Sequence, residues 1–309
     1  MKTLSALYIL VLYLPVDSLS QTCCSAGTPI LSAVNVAATN ANQWQFSFSA
    51  EHNSIKDVLP KSIKPREERF TNSYIFDISY GINERVSATI ILPYVQLSQT
   101  ALFGSREEIS SNGFGDILVM SKYNIVTSDI ANQRQFAVGY GLKLPTGKSK
   151  IRGQTGVVLA PQLQPGTASW DHVLWAFFSQ SFRPSPFSFF LNLNYRINGD
   201  NNRFQTNGPF RSYHFGNVFA VTGGISYRMT PLVDLAIQSR FRHTAKDSFA
   251  GGEVINTGGD WLYLIPSINF NFDTYGFRLS SQVPVYRNLK GIQITTSYSI
   301  SASIFYFIL

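Results

Sequence analysis

The chain carries four histidines, and a histidine that meets a serine would indicate a hydrolase. Such enzymes need a serine nucleophile, a histidine base and a polar residue that orients the ring. Leu174 stands two residues after one of these histidines, where a serine on the same strand face would be expected. No serine–histidine pair stands out around any of them, namely His52, His172, His214 and His243. Residues from distant segments could still meet, so a lipid hydrolase remains an alternative.

The two cysteines, Cys23 and Cys24, are neighbours in the chain. Adjacent cysteines join poorly, because the ring that they would close is strained. A zinc site would need further cysteine or histidine ligands at suitable spacing, and none follows. A lipid anchor would need a small residue before Cys23, and Thr22 in that place disfavours it. We therefore expect neither a metal nor a cofactor, and the role of the cysteine pair stays open.

A second set of polar residues is suited to contact solutes. These residues recur at alternate positions within otherwise apolar segments, so each shares one face of an extended strand. Basic members are in surplus, which would favour anions or carboxylate-bearing solutes. Alternatively, the arginines pair with carboxylates and tyrosines and simply fill a narrow interior. The candidates are Asp77, Asp116, Lys122, Lys143, Asn192, Asn194, Arg196, Arg228, Asp234, Arg240, Arg242 and Arg278.

The stretch 168–208 shows most clearly which elements position these residues. Two aromatic-rich runs flank a proline-containing turn at 183–186. In the second run, Leu191 and Leu193 alternate with Asn192, Asn194 and Arg196. This period of two predicts a strand with one apolar and one mostly polar face. We expect the leucines to face outward and the polar residues inward.

The composition favours a barrel that spans a membrane with strands. Charged residues make up 14% of the chain, below the roughly 25% of ordinary soluble domains, and aromatic residues also make up 14%. After the first twenty residues, no uninterrupted apolar run is long enough to span as a helix. Many Phe and Tyr residues at moderate hydropathy are typical of strands that face lipid on one side and a wet interior on the other.

The same alternation recurs along the chain and predicts an all-β fold, an antiparallel up-and-down transmembrane β-barrel of about twelve strands. Short turns alternate with long polar loops, and a soluble sandwich gives no reason for that asymmetry. Because an open strand edge in lipid is costly, the first and last strands should pair. The predicted strands are 43–52, 70–82, 85–99, 114–126, 134–145, a pair within 168–198, 213–228, 233–242, 260–272, 275–288 and 292–307.

The first twenty residues read as a secretory signal. Lys2 supplies the positive charge, 4–15 form the apolar core, and cleavage is expected between Ser20 and Gln21. Residues 21–41 are then a periplasmic segment or a plug of the barrel, and 42–309 form the barrel itself. These features predict a Gram-negative outer-membrane location with outer-membrane lipid as a partner.

Four segments carry a family resemblance: FGDILVMSKYNI at 114–125, GYGLKLPTGK at 139–148, LQPGTASWD at 163–171 and VPVYRNLKGIQ at 283–293. The chain resembles the "MetA-pathway of phenol degradation" family of outer-membrane transporters. It departs from the family pattern at Ala168, where glycine is expected. The resemblance implies a barrel that passes small, hydrophobic or aromatic compounds. Structural roles explain the motif residues before any contact with a ligand. Pro145 is expected to end a strand, and Trp170 is expected to lie at the membrane interface.

Three hypotheses follow for the function. The leading one is an outer-membrane channel or transporter for small hydrophobic, aromatic or anionic solutes. The second is a barrel without transport, whose long loops form a structural or interaction surface, and the third is the lipid hydrolase. Nucleic acid is not an expected partner, because the basic residues are spread over strands and loops.

Overall fold

The computed structural model describes residues 41–59, 67–103, 105–127, 133–182, 184–204 and 210–308. Its strands in chain order are β1 (Trp44–Leu59), β2 (Glu67–Gly81), β3 (Val86–Phe103), β4 (Ser105–Phe114), β5 (Ile117–Val126), β6 (Arg134–Leu144), β7 (Asp171–Ser181), β8 (Phe187–Ile197), β9 (Asp200–Phe204), β10 (Arg211–His214), β11 (Val218–Arg228), β12 (Val233–Thr244), β13 (Ser248–Phe249), β14 (Gly252–Glu253), β15 (Gly259–Asn271), β16 (Tyr275–Leu289) and β17 (Gln293–Ile308). A short 3-10 helix spans Pro161–Leu163.

Twelve of these strands form one closed antiparallel barrel, which confirms the predicted fold class. They are β1, β2, β3, β5, β6, β7, β8, β11, β12, β15, β16 and β17. The barrel closes because β1 pairs with β2 on one side and with β17 on the other, so that Trp44 lies opposite both Tyr80 and Ile308. This pairing removes the open edge that lipid would leave without hydrogen-bond partners.

The outer surface of the barrel is apolar and the inner surface is mostly polar. In β8, Leu191 and Leu193 point outward and are exposed, whereas Asn192 and Asn194 are buried inside. The same alternation recurs on β2, where Phe76 faces outward. An outward band of aliphatic and aromatic side chains is the surface that a bilayer requires. In the ranges that the structure describes, no helix has the length and apolar character needed to cross a membrane.

The short turns, the start of β1 and the end of β17 lie at one end of the barrel, and the long connections lie at the other. In outer-membrane barrels the short turns face the periplasm and the long loops face the outside. We name the two ends periplasmic and extracellular accordingly. The connection between β16 and β17 is short although it lies at the extracellular end.

Several connections predicted as loops contain strands. β3 continues to Phe103 and forms a hairpin with β4, so the predicted loop 100–112 is largely extended chain. The predicted strand 114–126 begins later, because Gly115 and Asp116 separate β4 from β5. The predicted strand 213–228 is likewise divided at 215–217. There a Cβ on Gly216 would lie 1.9 Å from the carbonyl oxygen of Ala245, so only glycine permits this close crossing of two backbones.

Four short strands form a second sheet above the extracellular end, in the order β14-β13-β10-β9. Its aromatic residues Phe204, Tyr213 and Phe249 pack together, and Val158 from the connection between β6 and β7 packs against them. This sheet therefore covers the extracellular end of the barrel and contacts the chain that folds into it.

Candidate functional site

A cavity of about 1040 Å³ occupies the periplasmic half of the barrel. It reaches the periplasmic rim, where Glu84 and Thr127 line it, and extends inward to Arg240, Ile265 and Phe177. Its volume lies at the upper end of the range for small-molecule pockets in proteins. The cavity is therefore large enough for a small organic solute.

One wall of the interior is apolar, and the sequence did not reveal it. The inward side chains Ile75, Ile91, Leu118, Met120, Ala137, Val173, Trp175 and Phe177 form a buried cluster, and Phe190 packs against it. In β7 both faces are apolar, so alternation alone could not say which face points inward. The residue that could have identified the inward face is Asp171. It is charged, and it shares a strand face with Val173, Trp175 and Phe177.

Side chains fill the barrel between this cavity and the extracellular end. The Lys122 ammonium lies 4.9 Å from the Trp175 ring centroid. On the other side, the Arg242 guanidinium lies 4.1 Å from the ring centroid of Trp261. All four residues are buried. The extracellular half is thus packed as a protein interior, with cation–π contacts between its charged and aromatic residues.

A buried polar cluster joins the family motifs at the extracellular side. We call Asp116, Lys143, Thr167, Ser169 and Asp171 the aspartate–lysine cluster. Lys143 Nζ lies 2.9 Å from Asp116 Oδ2 and 2.7 Å from Asp171 Oδ2. The Thr167 hydroxyl donates to Asp116 Oδ2 at 2.7 Å, and the Ser169 hydroxyl donates to Asp171 Oδ1 at 2.8 Å. One ammonium thus compensates two carboxylates that also accept hydrogen bonds from hydroxyl groups, as buried charges require.

The connection 145–170 folds into the barrel, and we call it the inserted loop. Gly147 N–H donates to Asp116 Oδ1 at 2.9 Å, and Thr167 N–H donates to Asp116 Oδ2 at 2.8 Å. Both ends of the loop are therefore tied to the aspartate–lysine cluster. In its middle, Leu159 and Leu163 pack against Val95 and Leu97 of β3, whose side chains are likewise buried. The inserted loop, which the sequence predicts as a long connection over 147–167, is thus a plug of the extracellular half.

Asp247 ties the extracellular sheet to the barrel rim. Its carboxylate accepts hydrogen bonds from the Tyr213 hydroxyl at 2.7 Å and from the Gly216 N–H at 2.8 Å. Burial raises the pKa of the Asp247 carboxyl above its ordinary value, and these hydrogen bonds oppose part of that rise. The folded protein therefore holds a proton on Asp247 more tightly than the unfolded loop does.

From this shift we expect the contact around Asp247 to weaken as the pH rises. Its free-energy contribution is greatest below the ordinary pKa of 3.8 and falls as the pH passes through the raised pKa of the folded state. Hydrogen exchange of segment 245–258 should therefore slow more in acid than intrinsic exchange chemistry predicts. Asp247→Asn should remove this excess, and an equal pH slope in both proteins would contradict the assignment.

The predicted interior residues lie in three kinds of location: the cavity wall, the periplasmic rim and the buried interior of the barrel. Asp234, Arg240 and Arg278 line the cavity. Arg228 is half exposed at the periplasmic rim, where its Nε lies 3.5 Å from Asp234 Oδ1. The others are buried within the barrel, namely Asp77, Asp116, Lys122, Lys143, Asn192, Asn194, Arg196 and Arg242. Lys143 lies between two aspartates, so pairing accounts for its charge, whereas a role of the set in solute passage stays a prediction.

The four histidine rings contact amide, phenol or carboxylate groups. His52 contacts the Asn72 amide oxygen at 2.7 Å, and His172 contacts the Tyr140 hydroxyl at 2.6 Å. His214 contacts Asp200 and His243 contacts Asp260. Within the described part of the chain, these are not the serine contacts that a hydrolase triad would need. Cys23, Cys24, the signal 1–20, Arg183 of the predicted turn and all of the segment 21–41 except Ala41 lie outside the described residues.

Comparisons with solved structures identify similar barrels. The outer membrane channel COG4313 from Pseudomonas putida F1 is 12% identical, with a TM-score of 0.73 over 89% of this chain and 98% of that chain. The transport unit of the autotransporter AIDA-I from Escherichia coli is 11% identical, with a TM-score of 0.50 over 92% of this chain and 98% of that chain. At these identities the likeness concerns the fold. No curated protein sequence matches the chain.

A family model matches residues 63–287, under the description "Putative MetA-pathway of phenol degradation". The match covers most of the barrel, including the segments that form the aspartate–lysine cluster and both ends of the inserted loop. Together with the closed barrel and its apolar outer surface, it indicates a protein of the bacterial outer membrane. The chain belongs to the MetA-pathway of phenol degradation family.

Proposed function

We propose that this protein is an outer-membrane channel through which small solutes diffuse. The observation that carries the proposal is the cavity of about 1040 Å³ inside a closed twelve-strand barrel, open at the periplasmic rim. A similar barrel, COG4313, is described as an outer membrane channel. A barrel that served only as a surface scaffold would gain nothing from a polar cavity of this size, whereas a channel needs one.

In this proposal the inserted loop is the gate. It is joined to the barrel wall at β6 and β7 and is otherwise held by hydrogen bonds and apolar contacts. Conduction requires that the loop withdraws far enough to open the packed extracellular half. We therefore expect small conductance steps and long closed periods, because the closed arrangement has many contacts to break.

We also propose that the mature protein begins at Gln21, after cleavage behind Ser20. Outer-membrane lipid surrounds the barrel as its partner, since the outward side chains are apolar. N-terminal sequencing of the protein from outer-membrane fractions tests the cleavage position.

The channel proposal is tested with the purified protein in planar bilayers and in proteoliposomes. We expect discrete conductance steps in salt solution and uptake of small solutes measured by liposome swelling. Liposomes with an unrelated closed barrel at the same protein content serve as the control. If the folded protein shows neither conductance nor solute flux under any applied voltage, the channel proposal fails and the alternative without transport gains support.

A further inference from the structure

The cavity is lined by two arginines whose guanidinium groups are held by neutral partners. Arg240 donates from Nε to the Thr222 hydroxyl at 3.1 Å and from Nη1 to Gln282 Oε1 at 3.0 Å. Arg278 donates from Nε to Asn269 Oδ1 at 2.6 Å. Among the described residues, neither guanidinium has a carboxylate oxygen within 4.0 Å. Both arginines are half-buried in the cavity wall, where a guanidinium without an ionic partner attracts an anion that enters the cavity.

The acidic residues of the cavity are engaged elsewhere or lie at its mouth. Asp234 faces Arg228 and accepts a hydrogen bond from Asn271 Nδ2 at 2.7 Å. Glu84 belongs to the periplasmic turn between β2 and β3. Glu51 lies deeper in the cavity, and its carboxylate accepts a hydrogen bond from Ser299 at 3.0 Å. Its negative charge interacts with Arg240 electrostatically, without a direct contact. Among the residues that the structure describes, Arg240 at the inner end of the cavity therefore has no carboxylate in direct contact.

Strand register links an aromatic residue, Phe177, to Arg240 along one hydrogen-bonded row of the barrel wall. Phe177 lies opposite Asn192, Asn192 opposite Thr222, and Thr222 opposite Arg240, so these four positions follow one another around the barrel. The Phe190 ring lies against Gly224, close enough that a Cβ there would be 2.6 Å from it. Phe177, Phe190 and Arg240 all line the cavity, which thus offers an apolar surface beside a cation.

We propose that the inner end of the cavity binds a monocarboxylate with an apolar body of about the size of one ring. Arg240 holds the carboxylate, with Gln282 and Thr222 fixing the guanidinium, and Phe177 and Phe190 contact the body. Arg278, nearer the periplasmic rim, attracts the anion into the cavity. Arginine suits this role because its planar group donates two hydrogen bonds to one carboxylate. The inference rests on the proposed channel function, since it names the solute class, yet binding is measurable without transport.

The test is equilibrium binding of benzoate to the folded protein in dodecyl maltoside, measured by titration calorimetry. We expect benzoate to bind more tightly than benzyl alcohol, which lacks the charge, and more tightly than acetate, which lacks the ring. Arg240→Gln should weaken benzoate binding about tenfold or more, as expected for loss of a charged hydrogen bond. Phe190→Ala should also weaken it, whereas Arg85→Gln, which removes an equal charge from the exposed periplasmic turn, should not.

Folding of each variant is checked by its heat-dependent migration on gels. If Arg240→Gln does not fold, Arg240→Lys keeps the charge but not the paired donors, and it should still bind benzoate more weakly than the wild type. Equal affinity for benzoate and benzyl alcohol, or unchanged benzoate affinity in the folded Arg240 variants, overturns the inference. Benzoate binding without conductance or flux would instead overturn the channel proposal and leave this site standing.

Discussion

Lys143→Met is expected to cost about 3–5 kcal/mol of stability, because it leaves two buried carboxylates without their cation. Lys143 is 0% exposed, and its ammonium lies between Asp116 and Asp171. The methionine has a similar length but no charge, so the loss is electrostatic rather than steric. Equilibrium unfolding in guanidinium of the barrel folded into lipid vesicles measures the effect.

The control for Lys143→Met is Lys150→Met. Lys150 is an exposed lysine of the same inserted loop, so its replacement removes an equal charge from the protein surface. We expect its unfolding midpoint to match the wild type. A Lys143→Met protein as stable as the control would show that the aspartate–lysine cluster does not hold the loop in place.

Gly147→Ala is expected to displace the inserted loop and raise the conductance of the channel. A Cβ at this position would lie 2.7 Å from the backbone of both Gly115 and Gly166, which is closer than real contacts allow. The clash is with backbone atoms, so no side chain can move aside to relieve it. The two loop ends must separate, and the packed extracellular half should open more often in single-channel recordings.

Gly223→Ala is the matched control for this variant. A Cβ there would meet the Leu191 side chain at 3.6 Å, an ordinary contact on the outer face of β11. We expect wild-type conductance from it, together with an unchanged fold. If Gly147→Ala also conducted like the wild type while remaining folded, the inserted loop would not be the gate.

The barrel could be predicted from sequence because each of its strands must place apolar residues toward lipid and polar residues toward the interior, which repeats every second residue. Alternation of Leu191 and Leu193 with Asn192 and Asn194 fixes which face meets lipid, and repetition of that pattern fixes the number of strands. The extra extracellular strands escaped prediction. β9, β10, β13 and β14 are two to five residues long, too short for a period to show.

Much of the candidate site lay beyond sequence reasoning for a different reason. Alternation indicates that Asp116 and Lys143 point inward, but it gives neither their position along the barrel axis nor the residues that they contact. Asp171, the third charge of the cluster, stands at the start of a strand that is apolar on both faces. The same ambiguity hid Trp175 and Phe177. These contacts depend on how far neighbouring strands are staggered and on a loop that turns inward, and neither leaves a local pattern.

The packed extracellular half also bears on how the cell tolerates this protein. The outer membrane excludes detergents, antibiotics and toxic peptides, and every permanently open pore weakens that protection. Here the inserted loop and the extracellular sheet face the environment, and the spacious cavity faces inward. Many copies of the protein therefore add little to the permeability of the outer membrane. We expect sensitivity to detergents, antibiotics and toxic peptides to rise only when the inserted loop is released.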